Sequence, residues 1–170
     1  HAQSARPFNP QGVELQWYPS LASFNDPSCE AGKEIYMSLA LPAPDMARAI
    51  TRISHEILER NSGSESITLL GIPTRGAHLA ARIAANIESI EGKPVQCGTL
   101  DITLHRDDLR MRPPRALMPT EIPALGVEGR NIILVDDVLF SGRTIRAALD
   151  ALGEIGRPKT VQLAVLIDRG

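Results

Sequence analysis

Cysteine, lysine and long apolar runs are all scarce in this sequence of 170 residues. The two cysteines, Cys29 and Cys97, are too few for a disulfide scaffold or a zinc cluster. No apolar stretch approaches the roughly 18 residues that a membrane-spanning helix needs, and no secretory apolar segment is found. We therefore expect no membrane association and a cytoplasmic location.

A strong excess of one charge is also missing. Eighteen basic and twenty acidic residues give a net charge of -2, which excludes a globally basic nucleic-acid binder but leaves room for a local basic patch. Fifteen of the eighteen basic residues are arginine, the side chain best suited to bidentate phosphate contacts, although a compositional bias explains this equally well. With 43% hydrophobic residues, the length predicts one domain with a real core.

Aromatic residues are confined almost entirely to the first forty positions. Five of the six lie there, among scattered prolines that break any helical or strand period. The first residue is His1, which is typical of a processed or truncated terminus. We interpret residues 1–40 as an extension without assigned chemistry and residues 41–170 as the domain.

From Pro44 onward, helical and strand patterns alternate. Their order predicts an α/β fold with a mostly parallel sheet flanked by helices, in which ligands bind at the carboxyl ends of the strands. The patterns predict helices over about 45–61, 76–90 and 142–153, strands over 67–72, 95–103, 131–135 and 161–167, and a long loop over 104–129.

A pair of acidic residues follows the strand at 131–135 and precedes a turn that opens a helix. Asp136 and Asp137 cannot face a phosphate, so they suit hydroxyl groups or a metal, whereas the turn amides and the Ser141 and Thr144 hydroxyls suit an anion. Gly142 allows close approach of a phosphate. Together they fit a ribose 5-phosphate. An acid pair alone is more often a helix cap beside a solvated partner, but the whole run from 133 to 145 makes that interpretation improbable.

Two common phosphate motifs are absent from the sequence. It contains neither G-x-x-x-x-G-K-[ST] nor G-x-G-x-x-G, which argues against a P-loop nucleotidase and a dinucleotide-binding domain.

The run resembles the 5-phosphoribosyl 1-pyrophosphate signature of type I phosphoribosyltransferases. The resemblance implies that fold, a mobile loop over the active site, and ribose hydroxyls held by Asp136 and Asp137. It also implies a 5-phosphate bound by the adjoining turn, so the substrate-binding residues here are Val138, Leu139, Phe140, Ser141, Gly142, Arg143 and Thr144.

A second turn and the long loop complete this resemblance. Thr74, Arg75 and Gly76 follow the strand at 67–72 and match the family's pyrophosphate loop, although read alone they are an ordinary turn. Arg106, at the start of the long loop, is our choice for a further pyrophosphate contact, and the other loop arginines are as well explained by solvation.

Four segments narrow the resemblance to the pyrimidine operon regulators that are also uracil phosphoribosyltransferases. They span residues 51–56, 71–76, 101–109 and 162–170, in the family's order. The family pattern runs on beyond Gly170, so its C-terminal part is absent from this sequence, and residues 1–40 match none of it.

The first helix carries a basic polar face, formed by Arg48, Thr51, Arg52 and His55 opposite its apolar stripe. The resemblance implies RNA contacts at Thr51, Arg52 and His55, whereas the residues alone favour a solvated face.

The resemblance implies two functions. The protein would bind the leader of pyrimidine operon mRNA in a UMP-dependent manner, controlling transcription by attenuation. It would also convert uracil and 5-phosphoribosyl 1-pyrophosphate to UMP and pyrophosphate, with Mg²⁺ carried by the substrate near Asp136 rather than held by a dedicated protein site. Asp137 is the nearest candidate for a general base. A homodimer or larger homo-oligomer is also implied. The alternative is a type I phosphoribosyltransferase for another nucleobase with no RNA-binding role.

Overall fold

The computed structural model describes residues 15–18, 42–106 and 118–169. Its strands and helices alternate along the chain, as the sequence predicts, except that no α-helix is described between the strands at 96–99 and 131–139. They are β1 (Leu15–Tyr18), α1 (Ala43–Asn61), β2 (Ile67–Gly71), α2 (Arg75–Glu91), β3 (Gln96–Thr99), β4 (Asn131–Leu139), α3 (Arg143–Ile155) and β5 (Thr160–Asp168).

The strands form one parallel sheet in the order β1-β5-β4-β2-β3. β4 lies in its middle, between β2 and β5. Within the described residues no helix is both long and apolar enough to cross a membrane. The predicted α/β fold with a parallel sheet and flanking helices is confirmed.

Two apolar clusters cover the two faces of the sheet because successive strand residues point to opposite faces. α1 and α2 pack on the face that carries Ile133 and Val135. α3 packs on the face that carries Ile132 and Leu134. The helices on both faces explain why β4 is apolar on both sides over residues 132–135.

The strand bounds differ from the predicted ones by more than one residue in two places. β4 continues to Leu139, because its backbone pairs with β5 as far as Leu139 and Asp168. β3 is shorter and ends at Thr99, after which a turn over Thr103–His105 begins. β1 was not predicted, because prolines obscure the pattern around it. The rest of the extension and residues 107–117 of the long loop lie outside the described residues.

Polar side chains fasten the end of the sheet opposite the predicted site. Arg130 donates hydrogen bonds to the Thr68 hydroxyl at 2.7 Å and to the carbonyls of Glu65 and Ile67. Asn61, at the end of α1, exchanges amide hydrogen bonds with the largely buried Gln162 on β5. These contacts fix the carboxyl end of α1 to the sheet and leave the other end of the strands for ligands.

Candidate functional site

The two predicted turns lie side by side because the strands that lead into them, β2 and β4, are neighbours. The Arg75 guanidinium, at the start of α2, donates from Nη1 to Oδ2 of Asp137 over 2.9 Å. The structure therefore brings the predicted pyrophosphate turn into direct contact with the predicted ribose-binding pair. Arg75 is largely exposed and Asp137 half-buried, so this pair lies at the mouth of the site.

The acid pair lies within β4 rather than after it, which corrects the predicted end of that strand at Val135. Hydropathy falls at Asp136 and suggests an end, but backbone pairing with β5 continues past it. Neighbouring strand residues face opposite sides of a sheet, so the two carboxylates leave the backbone in different directions. Only one of them, Asp137, contacts Arg75 in the described structure.

Asp136 has an unusual proton affinity. Burial raises the pKa of its carboxyl to about 7, an effect that the nearby Asp137 charge reinforces and the Arg106 charge opposes. The amide of Asp137 donates a hydrogen bond to Asp136 Oδ1 at 2.9 Å, which also opposes the rise. A carboxyl that changes charge near neutrality, close to the carboxyl ends of the parallel strands, is typical of a functional site.

The turn after β4 has the geometry of an anion site. Gly142 adopts φ 71°, a left-handed conformation that favours glycine, and directly precedes α3. The first amides of α3 therefore point toward the turn, where the helix end carries partial positive charge. Ser141 and Arg143 are exposed on it, whereas Thr144 is half-buried. These features support a bound 5-phosphate.

Arg106 also contacts this turn. Its Nη1 lies 3.4 Å from the Thr144 hydroxyl oxygen, and its charge acts on Asp136. The residue chosen for a pyrophosphate contact thus stands beside both the phosphate turn and the acid pair.

Close backbone packing holds the pyrophosphate turn. A Cβ atom on Gly76 would lie 2.2 Å from the Val135 carbonyl oxygen, so only glycine fits there. The first turn of α2 therefore sits directly on β4, immediately before the acid pair. The peptide bond between Pro73 and Thr74 is cis, and Thr74 is exposed.

The remaining predicted ligand residues fall into two groups. Val138 and Leu139 are half-buried strand residues paired with β5, and Leu139 also packs against the apolar cluster beneath α3. Phe140 is 63% exposed, and the Arg169 guanidinium lies over its ring at 4.7 Å from the centroid. Sequence reasoning missed Arg169 here because nothing local links it to Phe140.

The donor set fits a metal that the substrate carries. In the described ranges no group of three or more His, Cys, Asp or Glu side chains could hold an ion. Asp136 and Asp137 offer carboxylate oxygens, which are ligands that Mg²⁺ prefers, but such an ion usually takes its other ligands from substrate phosphates and water. The residues therefore fit Mg²⁺ bound with a pyrophosphate ester.

The predicted RNA-binding residues lie elsewhere, on the exposed side of α1. Thr51, Arg52 and His55 are all exposed there. The Thr51 hydroxyl donates to the Ala47 carbonyl, and Arg52 Nε donates to Glu56 Oε1 at 2.8 Å. This helix contributes none of the phosphoribosyl motifs, so the two predicted sites are separate surfaces.

Comparison with known proteins agrees with this geometry. The phosphoribosyl transferase domain pattern matches residues 40–170, and the chain belongs to that family. Solved structures with the same fold include a purine phosphoribosyltransferase from Pyrococcus horikoshii, with a TM-score of 0.55, 18% identity and 75% of each chain covered. A hypoxanthine-guanine phosphoribosyltransferase from Bacillus anthracis also has a TM-score of 0.55, with 14% identity, and the match covers 76% of this chain and 72% of that one.

Curated relatives narrow the family to the bifunctional PyrR proteins. The PyrR protein of Streptomyces coelicolor is 64% identical over 130 residues, which are 76% of this chain and 67% of that protein. Those of Leifsonia xyli and a Roseiflexus species are 56% and 60% identical, covering 78% and 76% of this chain and 74% and 71% of theirs. The predicted membership of this regulator and enzyme group is confirmed.

Proposed function

We propose that the chain transfers the 5-phosphoribosyl group of 5-phosphoribosyl 1-pyrophosphate to uracil, and that it binds pyrimidine operon mRNA when UMP is bound. The hydrogen bond between Arg75 and Asp137 is the main structural support for the proposed phosphoribosyl transfer. It joins an anion-binding turn to a hydroxyl-binding acid pair, which is the arrangement that a phosphoribosyl pyrophosphate requires. PyrR membership supports both parts.

Each part of the substrate has a matching part of the site. The turn from Ser141 to Thr144 would hold the 5-phosphate, and Asp136 and Asp137 would accept hydrogen bonds from the ribose 2′- and 3′-hydroxyls. Thr74, Arg75 and Gly76, with Arg106, would hold the pyrophosphate. When bound, Mg²⁺ would neutralise pyrophosphate charge near Asp136.

The chemistry then depends mainly on positioning and charge. N1 of uracil bonds to C1 of the ribose as the bond from C1 to the pyrophosphate oxygen breaks, and the N1 proton is lost. Arg75 and Arg106 stabilise the charge that grows on the leaving group. Asp137 remains our candidate for the base. In the described structure Arg75 donates a hydrogen bond to Asp137. A role for Asp137 as the base therefore requires Arg75 to turn toward the pyrophosphate.

A panel of bases tests the proposed reaction. With 5-phosphoribosyl 1-pyrophosphate and Mg²⁺, we expect UMP from uracil and little product from orotate, adenine, hypoxanthine or guanine, measured by pyrophosphate release. Asp137→Asn should weaken sugar binding, because it removes the negative charge that accepts from a ribose hydroxyl. Turnover confined to another base would replace uracil as the substrate, and unchanged turnover in this variant would refute the site assignment.

The RNA-binding part predicts opposite effects of two substitutions on α1. Arg52→Ala removes a charge-assisted phosphate contact worth ~1.5–3 kcal/mol, so RNA affinity should fall about tenfold or more at fixed salt. Glu56→Gln removes the carboxylate that competes for Arg52, so RNA affinity should rise. Titration of a pyrimidine operon leader RNA, with and without UMP, measures both.

The matched control is Arg146→Ala, which removes the same charge from α3 on the other face of the sheet. It should leave RNA affinity unchanged, and Arg52→Ala should leave uracil turnover unchanged. If Arg52→Ala and His55→Ala both preserve RNA affinity and its salt dependence, α1 is not the RNA-binding surface. If UMP tightens RNA binding, RNA must tighten UMP binding by the same factor.

The family resemblance also suggests a cytoplasmic homodimer or larger homo-oligomer.

A further inference from the structure

A single carboxylate outside the predicted ligand contacts organises the segment that leads to Arg106. Asp101 follows β3, and its Oδ1 accepts hydrogen bonds from the Thr103 amide at 2.9 Å and the Thr103 hydroxyl at 2.6 Å. These bonds close the short turn over Thr103–His105, in which the His105 amide donates to the Ile102 carbonyl.

The other oxygen of the same carboxylate holds the returning chain. Oδ2 of Asp101 accepts from the Met118 amide at 2.9 Å, and the Asp101 amide donates to the Thr120 hydroxyl at 3.0 Å. Just beyond, Thr99 and Glu121 form an antiparallel pair through their backbones. Asp101 thus joins the two segments that flank residues 107–117.

The turn then delivers Arg106 to the site. His105 Nε2 lies 3.8 Å from Glu154 on α3, and Arg106 reaches Thr144 near the start of the same helix. Since Arg106 follows the turn directly, the direction in which its side chain leaves the backbone depends on the turn that Asp101 closes.

We propose that Asp101 is a positioning residue, which places the Arg106 guanidinium against the phosphate turn by holding Thr103 and Met118 with its two carboxylate oxygens. The proposal rests on the proposed function, in which Arg106 contacts the pyrophosphate. Only a carboxylate of this length supplies two acceptor oxygens there. An asparagine would direct an NH₂ group at one of the donors, and glutamate would move both oxygens by about one bond length.

A double-mutant cycle tests this positioning role, with the KM for 5-phosphoribosyl 1-pyrophosphate and kcat as readouts. Arg106→Ala should raise the KM about tenfold or more, and Asp101→Asn should raise it by a large part of that factor. The double variant should be no worse than Arg106→Ala, because Asp101 acts through Arg106. Effects that multiply in the double variant would overturn the proposal.

Product binding provides a readout that general loosening of the fold would not move. Arg106 contacts the pyrophosphate in the proposed site, so Asp101→Asn should weaken inhibition by pyrophosphate by about the factor that it raises the KM, while the affinity for UMP should stay that of the wild type. The matched control is Thr99→Val, which removes a hydroxyl that donates to the Pro119 carbonyl and accepts from the Glu121 amide, without touching the Thr103 turn. This variant should keep both the KM and the pyrophosphate affinity of the wild type.

The outcomes separate the proposal from the function on which it rests. If the wild type fails to bind 5-phosphoribosyl 1-pyrophosphate, the proposed function is wrong. If it binds and Asp101→Asn has the wild-type KM and pyrophosphate affinity, the positioning role is wrong. If Asp101→Asn does not fold, Thr103→Val removes one bond of the same turn and enters the same cycle with the same expected non-additivity.

Discussion

Replacing Gly76 by alanine is expected to cost the chain at least about a hundredfold in kcat/KM for 5-phosphoribosyl 1-pyrophosphate. The added Cβ would lie 2.2 Å from the Val135 carbonyl oxygen, a backbone atom of the central strand that cannot yield. The start of α2 must move away instead, and a displacement of about 1 Å in substrate-positioning residues can cost about a hundredfold. Overpacking should also lower the free energy of unfolding by about 1–3 kcal/mol.

Gly92→Ala is the matched control, because it makes the same substitution at the other end of α2. Gly92 has φ 70° and nothing within 4 Å of its added Cβ, so the variant bears only left-handed backbone strain of roughly 1–2 kcal/mol. Denaturant unfolding should show a comparable loss of unfolding free energy in the two variants. The value of kcat/KM should fall only in Gly76→Ala. A wild-type kcat/KM in Gly76→Ala would contradict the role given to this turn.

Asp136→Asn should combine weaker substrate binding with greater stability. In the proposed site the carboxylate accepts hydrogen bonds from the sugar, so its loss should raise the KM for 5-phosphoribosyl 1-pyrophosphate about 10- to 100-fold. In the wild type, a pKa of about 7 means that acidification protonates this acceptor, and kcat/KM should fall about tenfold between about pH 8 and about pH 6. Asp136→Asn should lack this fall in kcat/KM, because it has no carboxylate to protonate. The titration of the substrate affects both proteins equally, so the difference between their pH profiles reports Asp136.

The stability change has a definite sign. The pKa of Asp136 lies above its ordinary value of 3.8, so the folded chain binds this proton more tightly than the unfolded chain. The stabilisation is complete below about pH 4 and is lost as pH rises through about 7. At about pH 8, the free energy of unfolding of Asp136→Asn should therefore exceed that of the wild type by about 1–3 kcal/mol. The variant should accordingly unfold at a higher denaturant concentration. Equal or lower stability of the variant there would show that burial does not penalise this carboxylate.

The sequence was most informative where a pattern repeats or a motif is contiguous. The isoleucines of α1 recur at helical spacing, which predicts the helix and its buried side. The acids and the Ser-Gly-Arg-Thr turn adjoin each other, so one strand-to-helix junction predicts both the ribose and the phosphate contacts. The alternation of strand and helix patterns along the chain likewise predicted the fold class.

The contacts between distant segments could not be predicted in this way. Arg75 meets Asp137 across 62 positions, and only the pairing of β2 with β4 brings them together. Asp101 resembles any other acid after a strand until the chain returns at Met118 and donates to it. The predicted length of β4 was wrong because hydropathy reports the environment of side chains, whereas backbone pairing with β5 decides where the strand ends.

The central position of β4 in the sheet also determines which part of the site is lost first in local unfolding. Its amides are hydrogen-bonded between two neighbouring strands and covered by helices on both faces, so they should exchange with solvent only through near-global unfolding. The acids that we propose to bind the sugar, Asp136 and Asp137, are therefore anchored to one of the last elements to open. Arg106, by contrast, follows a single short turn at the margin of the fold, where local opening costs much less free energy. In the proposed site, the part that faces the sugar should thus stay formed during fluctuations that move Arg106 away.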